Sequence, residues 1–186
     1  MGYFELMDDR QSPSRWHLGP PVDEQGREVD PWQFKHGLEV RSIEGLKLLL
    51  DVRGEPLDYC WAAFSIPMVH SRVVQLFKQL DVRDVQFVPV EIDGHECPYF
   101  ILNALRIIPC IDDTRSRRVE YWKPEDERPD KLGQYKVVSG MRIDPARVGN
   151  ARIFRPFGWR VSLIVSADIR QAMDTAGVTG TRFVEV

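Results

Sequence analysis

Hydrophobic and polar positions along the chain mostly alternate in short blocks, and two segments break that rhythm with helical spacing. Val73, Leu76, Phe77 and Leu80 recur at intervals of three and four, which predicts a helix over about 72–80 with Ser71 as its N-cap. Ile169, Ala172, Met173 and Ala176 predict a second helix over about 167–176. Ser166 is placed to cap it, Asp168 falls in the first turn where a carboxylate favours the helix dipole, and Gly177 stands just beyond its end.

Alternation over 85–92 predicts a strand, with Pro89 marking an edge or a bulge because it has no ladder donor. Asp93-Gly94 is the strongest hairpin turn, followed by the apolar stretch 99–111. Further strands are predicted over 118–122, 134–143, 151–157, 160–165 and 181–186, and more weakly over 38–43 and 59–64. The segment 46–52 reads equally as a strand or a short helix. Residues 1–37 read as irregular, punctuated by Pro13, Pro20, Pro21 and Pro31, with Trp16, Trp32 and Phe34 as aromatic anchors on the core. The run 124–131, with mixed charge and two prolines, reads as a solvated loop.

The two helical segments echo each other. Each has extended residues, a serine, a helix of about ten residues, a turn and a Phe-Val-x-Val strand, so Phe87 answers to Phe183 and Val90 to Val186. A two-fold internal repeat and a reused supersecondary solution both remain open. Either predicts helices that cover a sheet shared by the Phe87 and Phe183 strands. The fold class is α+β, with mixed or mainly antiparallel sheet structure and two short helices. The expected organisation is an irregular arm with first strands over 1–50, packed on an α+β domain over 51–186.

Length and composition narrow the function. The chain has 186 residues, 43% hydrophobic and 28% charged, enough to bury a core without disulfides or metal. The formal net charge of -3 argues against a broadly basic nucleic-acid surface. Cys60, Cys97 and Cys110 are odd in number and lie in or beside apolar segments, which favours reduced thiols and a cytoplasmic setting. The first ten residues lack the basic and apolar blocks of a secretory signal, and no apolar run approaches a membrane span.

Candidate chemistry is sparse. His95 and Cys97 sit two apart but lack further ligands in a zinc spacing. His70 beside Ser71 has no nucleophile-elbow pattern, and adjacent side chains point apart. Asp112, next to Asp113 and Thr114, reads as a turn former. Arg115, Arg117 and Arg118 form the compact basic cluster. No Gly-rich phosphate loop follows a strand. These residues predict no catalytic site, no metal and no cofactor.

Several segments carry a resemblance. They are Asp58 with the aromatic stretch behind it, Val69-His70-Ser71, 85–90, Tyr99 to Asn103, Cys110-Ile111-Asp112 with Ser116, Ile153-Phe154-Arg155, and 164–166 through Gly177-Val178-Thr179-Gly180-Thr181-Arg182-Phe183. Over about 55–186 the chain resembles the bacterial immunity proteins of polymorphic toxin systems, the Myxococcus-type immunity domain group (Imm11-like). The resemblance implies a small cytoplasmic protein, not an enzyme, that binds and neutralises a cognate toxin. It implies a toxin protein as partner, with no nucleic acid and no membrane, and leaves a homodimer open. It assigns no site residue. Arg115, Arg117, Arg118 and Trp122 are the partner-binding candidates, because an aromatic and several guanidinium groups lie close in sequence. Ser71, Phe87, Asp112, Ser166, Gly177 and Phe183 are the structural ones. An enzyme or small-ligand domain in which His36, His70 or His95 meets Asp or Cys side chains is the rival reading, and a homo-oligomeric structural module is a third.

Overall fold

The computed structural model describes residues 2–41 and 44–186. Strands β1 (Tyr3–Asp8) and β2 (His17–Val22) come from the segment whose prolines read as irregular. β3 (Lys47–Val52), β4 (Tyr59–Ala62) and β5 (Ile66–His70) lead into helix α1 (Ser71–Gln79). β6 (Val85–Ile92) and β7 (His95–Ala104) form a hairpin around Asp93-Gly94, where Gly94 has φ 74°. β8 (Ile107–Ile108), β9 (Arg118–Tyr121) and β10 (Tyr135–Ser139) follow. A four-residue helix, α2 (Pro145–Val148), precedes β11 (Ile153–Pro156) and β12 (Ile164–Ser166), and then come α3 (Ala167–Thr175) and β13 (Thr181–Glu185). The fold is thus mixed α+β with mostly antiparallel pairing, and among the described residues it has three helices rather than two. The third arises because Asp144 caps α2, its carboxylate accepting from the Ala146 amide at 3.0 Å with Pro145 in the first turn.

The N-terminal correction has a physical cause. β1 lies between β12 and β13, with Phe4 opposite Val165 on one side and Glu185 on the other. Its partners come from the far end of the sequence, so nothing local marks it as a strand. β2 tolerates Pro20 and Pro21 because its pairing with β3 shifts register between Leu18 and Pro21. Trp16 and Phe34 are buried as expected, whereas Trp32 is 51% exposed and stays outside the buried core. The described part of 38–43 forms no ladder. Instead the Gln86 side chain accepts from the Val40 amide and donates to its carbonyl, and Asn103 donates to the Leu38 carbonyl. Ser42 and Ile43 lie outside the described residues.

Two bodies of sheet result. Six strands close a barrel in the order β2-β3-β6-β7-β5-β4, and five form a sheet in the order β13-β1-β12-β11-β8. β9 and β10 make a separate two-stranded ribbon. Pro89 stands where β6 pairs with β7 alone, because β3 joins only at Glu91 and Ile92. The barrel is filled by Trp16, Phe34, Leu48, Met68, Val88 and Ile101. Alternation along β7 sends Ile101 inward, while Leu102 and Ala104 face a second core between barrel and sheet. A third core lies around Ile108, Ile143 and Phe154.

Helices α1 and α3 both contribute to the middle core, through Val73, Val74 and Phe77 and through Ile169 and Met173. Phe77 is fully buried and meets Phe87 edge-on at 5.7 Å. Burying such a ring is worth about 1.5–3 kcal/mol. Phe87 and Phe183 pack against this same core, but their strands do not share a sheet: β6 belongs to the barrel and β13 to the five-stranded sheet. The caps also differ from the expected serines. His70, not Ser71, caps α1, its Nδ1 accepting from the Arg72 amide at 3.3 Å, because the extended backbone ends one residue earlier. Ser166 is the N-cap of α3, yet its hydroxyl donates to Asp168 Oδ1 at 2.5 Å instead of capping an amide. Gly177, at φ 61°, follows the Ala176 C-cap. The echoed segments share a local topology. β5 and β6 flank β7 antiparallel to both, and β12 and β13 flank β1 in the same way. That agreement does not establish an internal repeat.

Candidate functional site

Three stretches far apart in sequence converge on one groove of about 590 Å³. A 3-10 turn, Pro31–Lys35, supplies Trp32 and Lys35, and His36 follows it. Asp30 fixes this turn by accepting from the Trp32 amide at 3.0 Å, with Pro31 pre-set for the first helical position. The β9–β10 connection supplies Trp122, Arg128 and Lys131, and β10 itself supplies Lys136. The turn after β11 supplies Trp159, Arg160 and Val161. Gly158, at φ 77°, lets that turn approach Tyr135, since a Cβ there would lie 3.0 Å from the ring.

Trp122 is the hub. Lys131 Nζ, Lys136 Nζ and the Arg128 guanidinium lie 5.0, 5.1 and 5.9 Å from its ring centroid. Arg128 also pairs with Asp130 at 2.8 Å, and Lys136 pairs with Asp126. Across the groove, Lys35 Nζ sits 5.1 Å from the Trp32 ring and donates to the Phe64 carbonyl. Lys35 is 2% exposed, and burial, followed by the repulsion of Arg155, pushes its ammonium down to about 8. Arg155 on β11 is fully buried, which pushes its guanidinium down to about 10. Its Nη1 donates to the carbonyls of Arg160 and Ser162, while Nε and Nη2 have no partner.

The sequence candidates are placed unevenly. Trp122 lines the groove, but Arg115, Arg117 and Arg118 do not. They sit at the other end of the β9–β10 ribbon. There Arg115 pairs with Asp112 at 3.9 Å, Arg117 donates to Ser139 Oγ at 2.6 Å, and Arg118 pairs with Glu120 at 2.6 Å. Asp112 holds a turn, accepting from the Thr114 hydroxyl at 2.8 Å and from the Thr114 and Arg115 amides at 3.1 Å. The Thr114 hydroxyl and then the Arg115 amide hold its carboxyl below the usual range. Of the histidines, His70 is a cap whose ring meets Tyr99, and His95 packs edge-on against Trp16 at 4.8 Å. Among the described residues no group of three or more His, Cys, Asp or Glu is placed to hold a metal.

Lys35, Arg128, Lys131, Lys136 and Arg160 were not singled out from the sequence, and Trp32 was read there as a core anchor. Glu125, Asp126, Glu127 and Asp130 mask the cations of 122–136 when charge is summed along the chain, and the other cations come from distant segments. A second groove, of about 610 Å³, lies beside the positive-φ residues Phe64 and Ser65. Its charges balance: Arg10 and Arg15 oppose Asp8 and Asp51, and Arg15 is bound to Asp8 at 2.8 Å with both side chains buried.

The molecule is therefore a barrel-and-sheet α+β protein that presents a cationic, tryptophan-lined groove on its surface. The chain belongs to the Immunity protein family (Imm11), whose model matches residues 17–186. That match takes in β2 and β3, ahead of the 55–186 stretch over which the sequence resemblance was read. Membership supports a general role in immunity, the neutralisation of a toxin. No match is found among curated proteins.

Proposed function

We propose that this protein binds and neutralises a cognate secreted bacterial toxin in the cytoplasm, and does so by surface complementarity rather than by chemistry of its own. The family match over nearly the whole fold carries this reading. Three of its polar clusters point the same way, because they are committed to structure. His70 caps a helix, Asp112 fixes a turn, and Asp58 joins two distant segments. Trp122, an aromatic surrounded by cations, is the partner-contacting residue best placed of the four sequence candidates, since Trp and Arg dominate binding energy in protein interfaces.

Co-expression with the toxin encoded beside this protein's gene tests the reading. Protection of the cells and a purified stoichiometric complex are expected. A toxin that kills regardless, with no complex on gel filtration, would rule it out.

A further inference from the structure

The groove beside Trp122 is out of keeping with the chain around it. Five Lys and Arg side chains line it against a single carboxylate, Asp130, in a protein of net charge -3. Behind it, Arg155 adds a buried positive charge with two unpartnered nitrogens. Lys35 is buried too, and its hydrogen bond goes to the neutral Phe64 carbonyl. Two buried cations that repel one another, with no carboxylate paired to either among the described residues, project a positive field into the groove. Low-dielectric walls of Trp32, Trp122 and Trp159 concentrate that field.

We propose that this groove is the docking site for an acidic segment of the partner protein, whose carboxylates reach Lys131 and Lys136 and are drawn in by the field of the buried Lys35 and Arg155. The proposal rests on the immunity reading for the partner being a protein. The volume suits a short segment inserted between the tryptophans. Trp32, Val161 and the neighbouring Leu132 and Phe157 are exposed and supply an apolar rim. Nucleic acid fits less well. Base stacking needs free aromatic faces, whereas cations crowd the Trp122 ring and Lys35 lies over Trp32. A carboxylate in the groove also reverses the depression of the Lys35 ammonium.

Two arms test this. In the first, the full chain is titrated into fluorescein-labelled hexaglutamate, a neutral Gly-Ser peptide of equal length, and an oligothymidylate of equal charge. Saturable binding of hexaglutamate is expected, weakened about tenfold by Lys131→Glu and unchanged by Lys78→Glu, an equal charge change on the exposed side of α1. No binding, equal weakening by both variants, or tighter binding of the oligothymidylate would overturn the proposal. In the second arm, cells carry the toxin with the wild type or with Lys131→Glu at an unchanged unfolding midpoint. Protection by the wild type and its loss in the variant supports the groove. Equal protection and equal toxin affinity overturns the groove and leaves the immunity reading standing. Failure of the wild type to protect removes that reading, and the peptide arm then decides the groove by itself.

Discussion

Asp58 and Thr179, 121 residues apart, hold each other by three hydrogen bonds. The Asp58 amide donates to Thr179 Oγ1 at 3.0 Å, and Asp58 Oδ2 accepts both the Thr179 amide at 2.9 Å and its hydroxyl at 3.0 Å. Arg72 Nη1 reaches the same carboxylate oxygen at 3.0 Å, so the barrel, α1 and the turn before β13 meet at one side chain. Asp58→Ala is expected to cost about 2–3 kcal/mol, because it removes several bonds to a charged acceptor. A urea titration checks this, and an unchanged midpoint would show the latch to be dispensable.

The residue after Thr179 is held just as tightly. Gly180 has φ 83°, and a Cβ there would lie 2.0 Å from the Tyr59 carbonyl oxygen. Gly94 has a similar φ of 74° but faces open space. Gly94→Ala is expected to cost about 1 kcal/mol from backbone strain alone. Gly180→Ala adds a clash with backbone that cannot move aside and is expected to cost at least about 3 kcal/mol. Thermal unfolding of the two variants side by side separates strain from crowding.

The thiols should differ in reactivity. Cys60 and Cys110 are buried, and burial pushes their thiols up to about 12 and about 11 respectively. Cys97 is exposed. A colorimetric disulfide reagent at pH 8 is expected to titrate one thiol in the folded protein and all three in denaturant. Rapid reaction of two or more under native conditions would contradict the packing around Cys60 or Cys110.

Lys35 predicts a pH dependence. Its folded-state ammonium titrates near 8, against 10.5 for an ordinary lysine. Between those values the unfolded chain holds a proton that the folded protein releases, so stability rises with pH across this window. The penalty is fully present below about pH 8. With partial solvent screening the gain is on the order of 1–2 kcal/mol. Arg155, His36, Arg160 and Lys136 surround or share its groove and are present in both wild type and Lys35→Met, so the difference between their two stability-pH curves isolates Lys35. Parallel curves from pH 7.5 to 10.5 would contradict the burial of the ammonium.

Local pattern made parts of this fold legible. The spacing of Val73, Leu76 and Phe77 fixed α1 to within a residue, as did that of Ile169 and Met173 for α3, because a helix buries one face of its own sequence. Asp93-Gly94 marked its hairpin for the same local reason. β1 and β2 were hidden, since their strand character depends on partners the local sequence does not reveal. The barrel was hidden too, because closure of β2 on β4 rests on the pairing of Leu18 with Ala62. At the groove, Trp122 had been grouped with Arg115, Arg117 and Arg118, which lie at the other end of the ribbon, and not with the cations that surround it. Lys35 and Arg160 were not legible, since only the folded chain brings residues 35, 122 and 160 together.

β1 sits inside the five-stranded sheet, hydrogen-bonded on both sides by β12 and β13. During synthesis it emerges from the ribosome well before either partner and waits, unpaired, until the residues of both have been made. The barrel can close on the nascent chain, but the sheet forms only after translation has passed Thr181–Glu185. Until β13 is delivered, β1 keeps one edge open and the core that Phe183 helps to cover stays incomplete.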